Sequence, residues 1–318
     1  MKPRVCIIGG AGGWHARRLA ATLAARGFRI ETIGWPELAA SVTGREAGVR
    51  PEPLAAADLV VVRGMPAAAS DRARLEEVIF RMDVLGQVAA AGTPVVNPPR
   101  SLEIAIDKYL SLVRLAAAGL PVPRTLVGQE AGSVEQLRRE LGGPCVLKPL
   151  FGAGGRGLQR LEPAVPLDPG LLVGGVGYVQ EFIPHPGWDA RVLVVGDRLF
   201  AIRRRAAGGE WRTNLAQGGR AEPLELPADW EAIARRAAAA VGGSLVGVDL
   251  LPADDGRLFV LEANAVPAWQ GLEAVVGPRV SEAIADHLAA TWRRAATNGL
   301  KAVGSDPPAP TAASDARL

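Results

Sequence analysis

Cysteine and long apolar stretches are scarce in this chain of 318 residues. Its two cysteines, Cys6 and Cys145, each lie in a short apolar stretch and cannot build a disulfide framework, so we expect a reducing, cytoplasmic environment. The N-terminal apolar stretch covers only residues 5–8 before a glycine cluster. This stretch is too short for a signal peptide or a membrane-spanning helix, so we expect neither.

Neither positive nor negative charge dominates the chain, and lysine is rare. The 36 basic and 33 acidic residues leave a net charge of +3, spread along the chain rather than gathered in a block. We therefore expect no nucleic-acid or membrane partner. Only four of the 36 basic residues are lysine, and two of those lie near the termini. The interior pair, Lys108 and Lys148, points to chemistry that needs a compact ammonium group rather than a guanidinium.

Several protein classes are excluded by composition. Hydrophobic residues make up 48% of the chain and charged residues 22%, which is typical of a globular protein and not of a disordered one. The 38 glycines and 25 prolines follow no collagen period, so they indicate loops. The three histidines lack metal-ligand spacing and no Gly-x-Ser-x-Gly motif is present, so a hydrolase triad is not expected.

The order of strand and helix patterns predicts a mixture of α/β and α+β structure. Strands and helices alternate over residues 1–100, which predicts a small parallel α/β domain. A helix from Ser101 to Gly119 opens the next unit, residues 101–185. Antiparallel strand pairs with helices between them predict a C-terminal lobe over residues 186–298. Residues 299–318 lack a periodic apolar face and predict a disordered tail.

A lysine at the end of an apolar strand precedes a glycine-rich loop that contains Gly152, Gly154, Gly155 and Gly157. A dinucleotide fingerprint would need a helix directly after this loop, and a Walker A loop would need Gly-Lys-Ser/Thr; neither is present. The functional interpretation that remains is a glycine flap over nucleotide phosphates, neutralised by Lys148. The alternative is a mobile surface hairpin.

Two acidic residues are predicted to face each other across a β-hairpin. If Asp255-Gly256 forms a two-residue turn, Asp249 lies directly opposite Glu262, and Asn264 shares the face of Glu262. Opposed like charges destabilise a sheet unless positive charge lies between them, and oxygen ligands of this kind suit Mg²⁺ bound jointly with phosphates. The alternative is a solvated hairpin face, and Pro252 could change the register.

An arginine-rich stretch follows in the second half of the chain. It comprises residues 203–205, then Arg212, Asn214 and Arg220. Taken alone, such a run is usually a solvated strand edge. Beside a phosphate flap and a metal site, it predicts fixed positive charge for a phosphoryl-transfer reaction, with Arg203 among the nucleotide-binding residues.

In this order the motifs resemble one family. They are Lys108, Lys148 with its glycine flap, the Gln180–Ile183 segment, Asp189 with Arg191, Arg212 with Asn214, Asp249, and Glu262 with Asn264. Over about residues 95–290 the chain resembles the ATP-grasp carboxylate-amine ligases, most closely the RimK-like (ribosomal protein S6 modification-like) glutamate ligases. The resemblance implies an ATP-grasp fold of two lobes, here residues 101–185 and 186–298, preceded in the chain by a pre-ATP-grasp α/β domain.

The resemblance also implies roles for individual residues. Lys108, Lys148 and the flap glycines would contact the phosphates of ATP. The residues implied to hold adenine or to lie near the nucleotide are Gln180, Glu181, Phe182, Ile183 and Asp189. Arg212 and Asn214 would bind phosphate or the acyl phosphate as catalytic residues. Asp249, Glu262 and Asn264 would hold Mg²⁺, with Mn²⁺ as an alternative.

The implied reaction joins a carboxylate to an amine through an acyl phosphate, without a protein nucleophile. Glutamate is the expected amine donor. The stretch after Asn264 contains Trp269 and is similar to that of ligases acting on tetrahydromethanopterin-type cofactors, so we expect a pterin-linked acceptor. The tryptophans expected to stack on it, or else to pack the lobes, are Trp14, Trp188, Trp211 and Trp269.

Alternatives remain at this point. The chain could add glutamate to a protein C-terminus, or bind ATP without catalysis in the same fold. A nicotinamide-dependent oxidoreductase built on residues 9–13 is a further alternative, although this run lacks the spacing of a dinucleotide fingerprint. The oligomeric state is open, a homo-oligomer included.

Overall fold

The structure is a computed structural model, and it describes residues 2–10, 12–64, 75–152, 154–172 and 175–303. The N-terminal elements are β1 (Arg4–Ile8), α1 (Trp14–Ala24), β2 (Arg29–Ile33), β3 (Ala39–Thr43), β4 (Glu46–Arg50), α2 (Glu52–Ala55), β5 (Leu59–Val62), α3 (Leu75–Ala90) and β6 (Val95–Val96). A parallel sheet has the order β2-β1-β5-β6, and β3 pairs with β4 in a separate hairpin. The strands β1 and β5 are buried apolar runs, as expected for a parallel sheet covered by helices.

The second group of elements forms an antiparallel sheet. Its members are α4 (Pro99–Ile106), α5 (Lys108–Ala117), β7 (Thr125–Gln129), α6 (Ala131–Leu141), β8 (Cys145–Lys148), β9 (Gln159–Leu161) and β10 (Val176–Glu181), with the strand order β7-β10-β8-β9. The single helix predicted from Ser101 is wrong. The helix breaks at Asp107, whose carboxylate caps α5 by accepting from the backbone N–H groups of Tyr109 and Leu110 at 2.8 and 3.0 Å. Lys108 is therefore the first residue of α5.

The third group forms a second antiparallel sheet. It consists of β11 (Trp188–Val195), β12 (Arg198–Arg205), β13 (Arg220–Pro223), α7 (Ala228–Ala240), β14 (Leu245–Pro252), β15 (Leu258–Asn264), α8 (Gln270–Val276) and α9 (Arg279–Val303), with the strand order β13-β12-β11-β14-β15. The predicted antiparallel pairing of β11 with β12 and of β14 with β15 is confirmed. Helix α9 continues to Val303, beyond the predicted start of the tail at residue 299. Residues 304–318 lie outside the described residues.

The β14–β15 hairpin has a different turn from the one predicted. Residues 253–256 form a wider turn, with Gly256 at a φ of +86° and its N–H donating to the carbonyl of Ala253 at 3.0 Å. Leu250 consequently pairs with Val260 instead of residue 261. A β-bulge beside Asp249 then restores the offset, so Asp249 faces Glu262 as predicted.

Long-range contacts join the N-terminal domain to the C-terminal lobe. Asn97, which is 1% exposed, donates to the carbonyls of Leu245 and Ala265, both at 2.7 Å, and accepts from the N–H of Ser244 at 2.9 Å. One apolar core contains Leu19 of α1 together with residues of α8 and α9. These contacts fix the end of β15 relative to the N-terminal sheet. Within the described residues, no helix has the length and apolarity to span a membrane.

Candidate active site

A cleft between the two antiparallel sheets collects most of the predicted site residues. Those that line it are Lys108, Lys148, Gly152, Gly154, Gly155, Gln180, Glu181, Phe182, Ile183, Asp189, Arg212, Asn214, Asp249 and Glu262. Gly157, Arg203 and Asn264 are not among the lining residues. Lining residues that the sequence interpretation missed include Tyr178, His185 and Thr213.

The two interior lysines meet in this cleft. Lys108 donates from Nζ to the carbonyl of Gly152 at 2.6 Å, and Lys148 donates from Nζ to Oε1 of Gln180 at 2.6 Å. Burial lowers the pKa of Lys148 to about 8 against the opposing field of Glu262, and burial also lowers the pKa of Lys108. Neither ammonium forms an ion pair with a carboxylate of the described residues. Two confined, unpaired cations are suited to a polyphosphate.

The glycine flap between β8 and β9 rests on the loop that carries Arg212 and Asn214. Gln217 donates from Nε2 to the carbonyl of Gly154 at 3.2 Å. Gly155 has a φ of +72°, and a Cβ added there would collide with the Asn214 side chain. Gly157 lies at the base of the flap, where an added Cβ would be 3.3 Å from Cγ of Pro149. The flap thus needs glycine at residue 155 both for its backbone conformation and for its approach to Asn214.

The segment after β10 forms an apolar slot. Ile183 clusters with Leu251, and Phe182 lies edge-on to Trp211 with ring centroids 5.9 Å apart. The carboxylate of Glu181 is engaged elsewhere, because it accepts from the N–H of Arg124 at 2.7 Å. Among the described residues, no hydrogen-bond acceptor faces the Ile183 N–H. With apolar side chains such as Leu251 and Trp211 along it and the backbone N–H of Ile183 beside it, this slot can hold an aromatic base by apolar contact and one hydrogen bond.

Four buried charges form a network on the floor of the cleft. Arg191 donates to Oδ1 of Asp249 at 2.6 Å, and Arg204 bonds both to Oδ2 of Asp249 at 2.9 Å and to Asp189, with Nε 2.8 Å from Oδ1. Burial raises the pKa of Asp249, but the two guanidinium groups outweigh it and hold that pKa at about 2. The positive charge required beside Asp249 is therefore supplied by arginine side chains.

Arg203 is not the cleft arginine, and this prediction is corrected. Successive residues of a strand point to opposite faces of a sheet, so Arg204 lies on the face where it pairs with Asp189 and Asp249, and Arg203 points to the other face. There its guanidinium carbon lies 4.3 Å from the ring centroid of Trp188. The alternation of β12, once the phase of the strand is known, distinguishes the two arginines.

Glu262 and Asp249 are the carboxylates of this site that a metal could use. Glu262 is partly buried, faces Asp249 across the hairpin, and takes part in no ion pair or hydrogen bond with the described residues. Asn264 lies outside the cleft lining, and its Oδ1 accepts from the N–H of Val266 at 2.8 Å. No cluster of three His, Cys, Asp or Glu side chains suited to a metal occurs in the described part of the chain. This donor set fits Mg²⁺ held mainly by phosphate oxygens, and not a closed protein site.

Comparison with known proteins agrees with this geometry. Residues 105–288 match the RimK-like ATP-grasp domain. The chain belongs to the RimK-like ATP-grasp family. It is an ATP-dependent ligase that forms C–N bonds, and proteins of this family bind ATP with Mg²⁺.

Several relatives are similar over most of the chain. A tetrahydromethanopterin:alpha-L-glutamate ligase of Methanosarcina acetivorans is 33% identical over 265 residues, which cover 73% of this chain and 79% of that protein. A probable alpha-L-glutamate ligase of Xanthomonas euvesicatoria is 38% identical over 222 residues, 67% of this chain and 74% of that protein. The solved structure of the ATP-grasp ligase PsnB with a minimal precursor has a TM-score of 0.71 and 26% identity, covering 92% of this chain and all of that one.

The expectation that Trp269 stacks on a pterin is wrong. Trp269 is 1% exposed, and its Nε1 donates to Oγ of Ser281 at 2.9 Å. Its ring contacts Trp14 and His15 edge-on, at centroid distances of 6.2 and 4.8 Å. Trp269 therefore packs the C-terminal lobe against the N-terminal domain. Of the four tryptophans considered, Trp211 lines the ATP-grasp cleft.

Proposed function

We propose that this enzyme adds L-glutamate to a carboxylate of a pterin-linked small molecule. The observation that carries the proposal is the cleft with its paired lysines and Glu262, in a chain similar to ligases named for tetrahydromethanopterin and glutamate from two archaea. Both relatives are 33% identical to this chain over about two thirds of its length or more.

In the proposed reaction, an acceptor carboxylate oxygen attacks the γ-phosphorus of ATP, and the bond to the β–γ bridging oxygen breaks to release ADP. The glutamate amine then attacks the acyl carbon, the C–N bond forms, phosphate leaves, and the amine gives up a proton to solvent. Lys108 and Lys148 neutralise the phosphates, and the slot at Phe182 and Ile183 holds adenine. Mg²⁺ would add charge neutralisation at the phosphates.

The remaining roles belong to the same proposal. Arg212 is held by Glu210, with Nη2 2.7 Å from Oε2, while its buried Nε has no partner among the described residues and is assigned to the transferred phosphate. Asn214 supports the flap over that phosphate. Asp249 and Glu262 hold Mg²⁺, or Mn²⁺ in its place. The domain division at residues 100 and 185, a cytoplasmic location and a homo-oligomer are likewise proposed.

A peptide acceptor is the second candidate function. PsnB and the macrocyclase MdnC of Microcystis aeruginosa were solved with precursor peptides bound. The PsnB structure aligns with 92% of this chain. A free C-terminal carboxylate would replace the pterin-linked carboxylate in the same two-step chemistry.

ADP release from Mg·ATP tests these proposals. Single amino acids are combined with tetrahydromethanopterin-type acceptors and with peptides that have a free C-terminus. We expect turnover with glutamate and the pterin acceptor, lost in Glu262→Gln and retained in Asp254→Asn, which removes a carboxylate from the turn of the same hairpin. Turnover with peptides alone would favour the second candidate, and ATP binding without turnover on any pair would contradict both.

A further inference from the structure

Arg63 is a buried cation that has no counter-ion among the described residues. It directly follows β5 and is 8% exposed, and its Nε and Nη1 are buried without a hydrogen-bond partner from that part of the chain. Its remaining nitrogen, Nη2, donates to the carbonyl of Pro267 at 2.8 Å. No carboxylate of the described residues pairs with it. Burial lowers the pKa of Arg63 to about 9, so the group is still charged at neutral pH. A buried charge of this kind is costly unless a partner compensates it.

The position of Arg63 in the sheet is one where ligands bind in open α/β folds. Strand β1 has β2 on one side and β5 on the other. The chain thus adds β2 on one side of β1 and then crosses to the other side to add β5, so the strand order reverses between β1 and β5. Gly9 and Arg63 directly follow the carboxyl ends of these two strands, and Arg63 donates its N–H to the carbonyl of Ile8 at 2.8 Å. Ligands bind in the crevice outside the carboxyl ends of strands at such a reversal.

Close backbone contacts hold the two loops together at this edge of the sheet. A Cβ on Gly9 would lie 2.8 Å from the carbonyl oxygen of Gly64, and a Cβ on Gly64 would lie 2.9 Å from the nitrogen of Gly10. Glycine is therefore needed on both loops. The chain continues from here into α1, whose N-cap residue Gly13 provides no side-chain cap, so the positive end of a helix dipole lies on the same side as Arg63.

Residues 267–270, which come shortly after the end of β15, pack against the Arg63 side chain. The Arg63 guanidinium carbon lies 4.4 Å from the ring centroid of Trp269. Nε2 of His15 accepts from the N–H groups of Trp269 and Gln270 at 3.1 and 3.3 Å. Burial, together with the charge of Arg63, lowers the pKa of His15 to about 4, so the imidazole is neutral. Residues 267–270 and His15 therefore contribute no negative charge to Arg63.

We infer that Arg63 binds a non-reacting carboxylate of one of the two substrates, in a subsite between the N-terminal sheet and residues 267–270. This inference rests on the proposed function. An anion accounts for the unpaired nitrogens Nε and Nη1, and a guanidinium offers a carboxylate two parallel hydrogen bonds. Because residues 267–270 come only three residues after the strand that carries Glu262, a substrate anchored here is held beside the phosphate cleft. The carboxylate comes either from glutamate or from the acceptor. Both nitrogens are covered in this structure, so the groups around Arg63 must separate for the carboxylate to reach them.

The variant Arg63→Met removes the guanidinium and keeps an apolar side chain over Trp269. Arg81→Met is the matched control, because Arg81 lies 5.3 Å from the ring centroid of Trp35 in the same domain but pairs with Glu77 at 2.9 Å. ADP release is measured at saturating Mg·ATP, first against glutamate and then against the acceptor that supports wild-type turnover. In Arg63→Met we expect the KM of one substrate to rise about 10- to 100-fold, and the KM of ATP to be unchanged.

The substrate whose KM rises identifies the source of the carboxylate. An analogue of that substrate, with the carboxylate converted to an amide, separates binding from a structural role. The wild type should prefer the acid, and Arg63→Met should lose this preference. Unchanged KM values for both substrates, or a retained preference for the acid, would overturn the inference while the proposed function stands.

A binding measurement does not depend on turnover. Glutarate, a dicarboxylate without an amine, should raise the Tm of the wild type and of Arg81→Met but not that of Arg63→Met. The acceptor of the proposed reaction is tested in the same way, and no rise for the wild type with either glutarate or the acceptor would overturn the inference. If Arg63→Met does not fold, Arg63→Lys replaces it. This variant keeps a positive charge but lacks the parallel N–H donors of the guanidinium, so its Tm rise should be smaller than that of the wild type. Absence of wild-type turnover with every substrate pair would instead contradict the proposed function.

Discussion

Arg204 joins Asp249 to Asp189, with one guanidinium nitrogen 2.9 Å from Oδ2 of Asp249 and another 2.8 Å from Oδ1 of Asp189. All three side chains are buried, and Arg191 completes a network of two cations and two anions. The network is neutral, which allows it to lie under a cleft for a polyanion. Its positive members also hold Asp249 ionised opposite Glu262, and an ionised carboxylate is what a metal ligand requires.

Removing Arg204 should destabilise the protein strongly. Arg204→Met leaves two buried carboxylates short of a partner, so we expect the free energy of unfolding to fall by about 3–5 kcal/mol, measured by urea denaturation. Arg203→Met is the control, because it removes a neighbouring arginine from the opposite face and should cost only about 1 kcal/mol from its contact with Trp188. A larger loss in Arg203→Met than in Arg204→Met would contradict the network, and a raised KM for ATP in Arg203→Met would contradict the placement of Arg203 outside the cleft.

ATP binding should weaken as the pH rises past about 8, the pKa of Lys148. Burial places this pKa below the usual value. Because only the protonated lysine attracts phosphate, the affinity for Mg·ATP should fall about fivefold from pH 8 to about pH 9, as the charged fraction drops from one half to about one tenth. Isothermal titration at several pH values measures this. Lys148→Arg keeps its charge throughout the range, so its affinity, whatever its size, should vary little with pH. The same pH dependence in both proteins would contradict the assignment.

The same lowered pKa affects stability without ligand. The unfolded chain binds more protons than the folded one between about 8 and the ordinary lysine value of 10.5, so the contribution of Lys148 to stability rises with pH over that interval. The free energy of unfolding is measured at about pH 8 and at about pH 10.5. The increase between these two values that the wild type owes to Lys148 should be missing in Lys148→Met. Equal pH dependence of stability in the wild type and Lys148→Met would rule out a buried, depressed lysine.

The flap should tolerate no side chain at residue 155. Gly155→Ala meets Asn214 and requires a positive φ, so we expect a higher KM for ATP and a lower kcat. Gly142→Ala is the control, since Gly142 has a φ of +77° at the end of α6 but open space around its Cβ position. It should lose about 1 kcal/mol of stability and keep its ATP kinetics. Normal ATP kinetics in Gly155→Ala would show that the flap does not pack on Asn214 during turnover.

Trp269 should act on stability and not on acceptor recognition. Trp269→Ala removes a fully buried ring between the two domains, for which about 3–5 kcal/mol of stability is expected to be lost. Trp269→Phe keeps most of the packing and loses the hydrogen bond to Ser281. Its KM for the acceptor should match that of the wild type. A selective rise in that KM, without a change in Tm, would restore the idea that this ring contacts the pterin.

Local sequence patterns were sufficient for the parts of the site that lie within single elements. The flap could be recognised because its glycines directly follow Lys148, and the facing carboxylates could be recognised because a hairpin brings Asp249 and Glu262 together whichever of two turns it uses. The bulge beside Asp249 compensates for the wider turn, so an incorrect turn still predicted the correct pair. Strand pairs joined by short turns were also read correctly, because their contacts are close in sequence.

The sequence by itself identified the family, the two interior lysines that line the cleft, the glycine flap and the facing acids, since each depends on residue type or on short spacing. Only the tertiary structure decided that Arg204 and not Arg203 joins the buried network beneath the cleft, because the phase of a strand is set by what packs on its two faces. Only the tertiary structure placed Asn97, Arg63 and Trp269, whose partners lie far away in the chain. No short pattern encodes such a contact, because it arises where elements from distant parts of the chain are packed against each other.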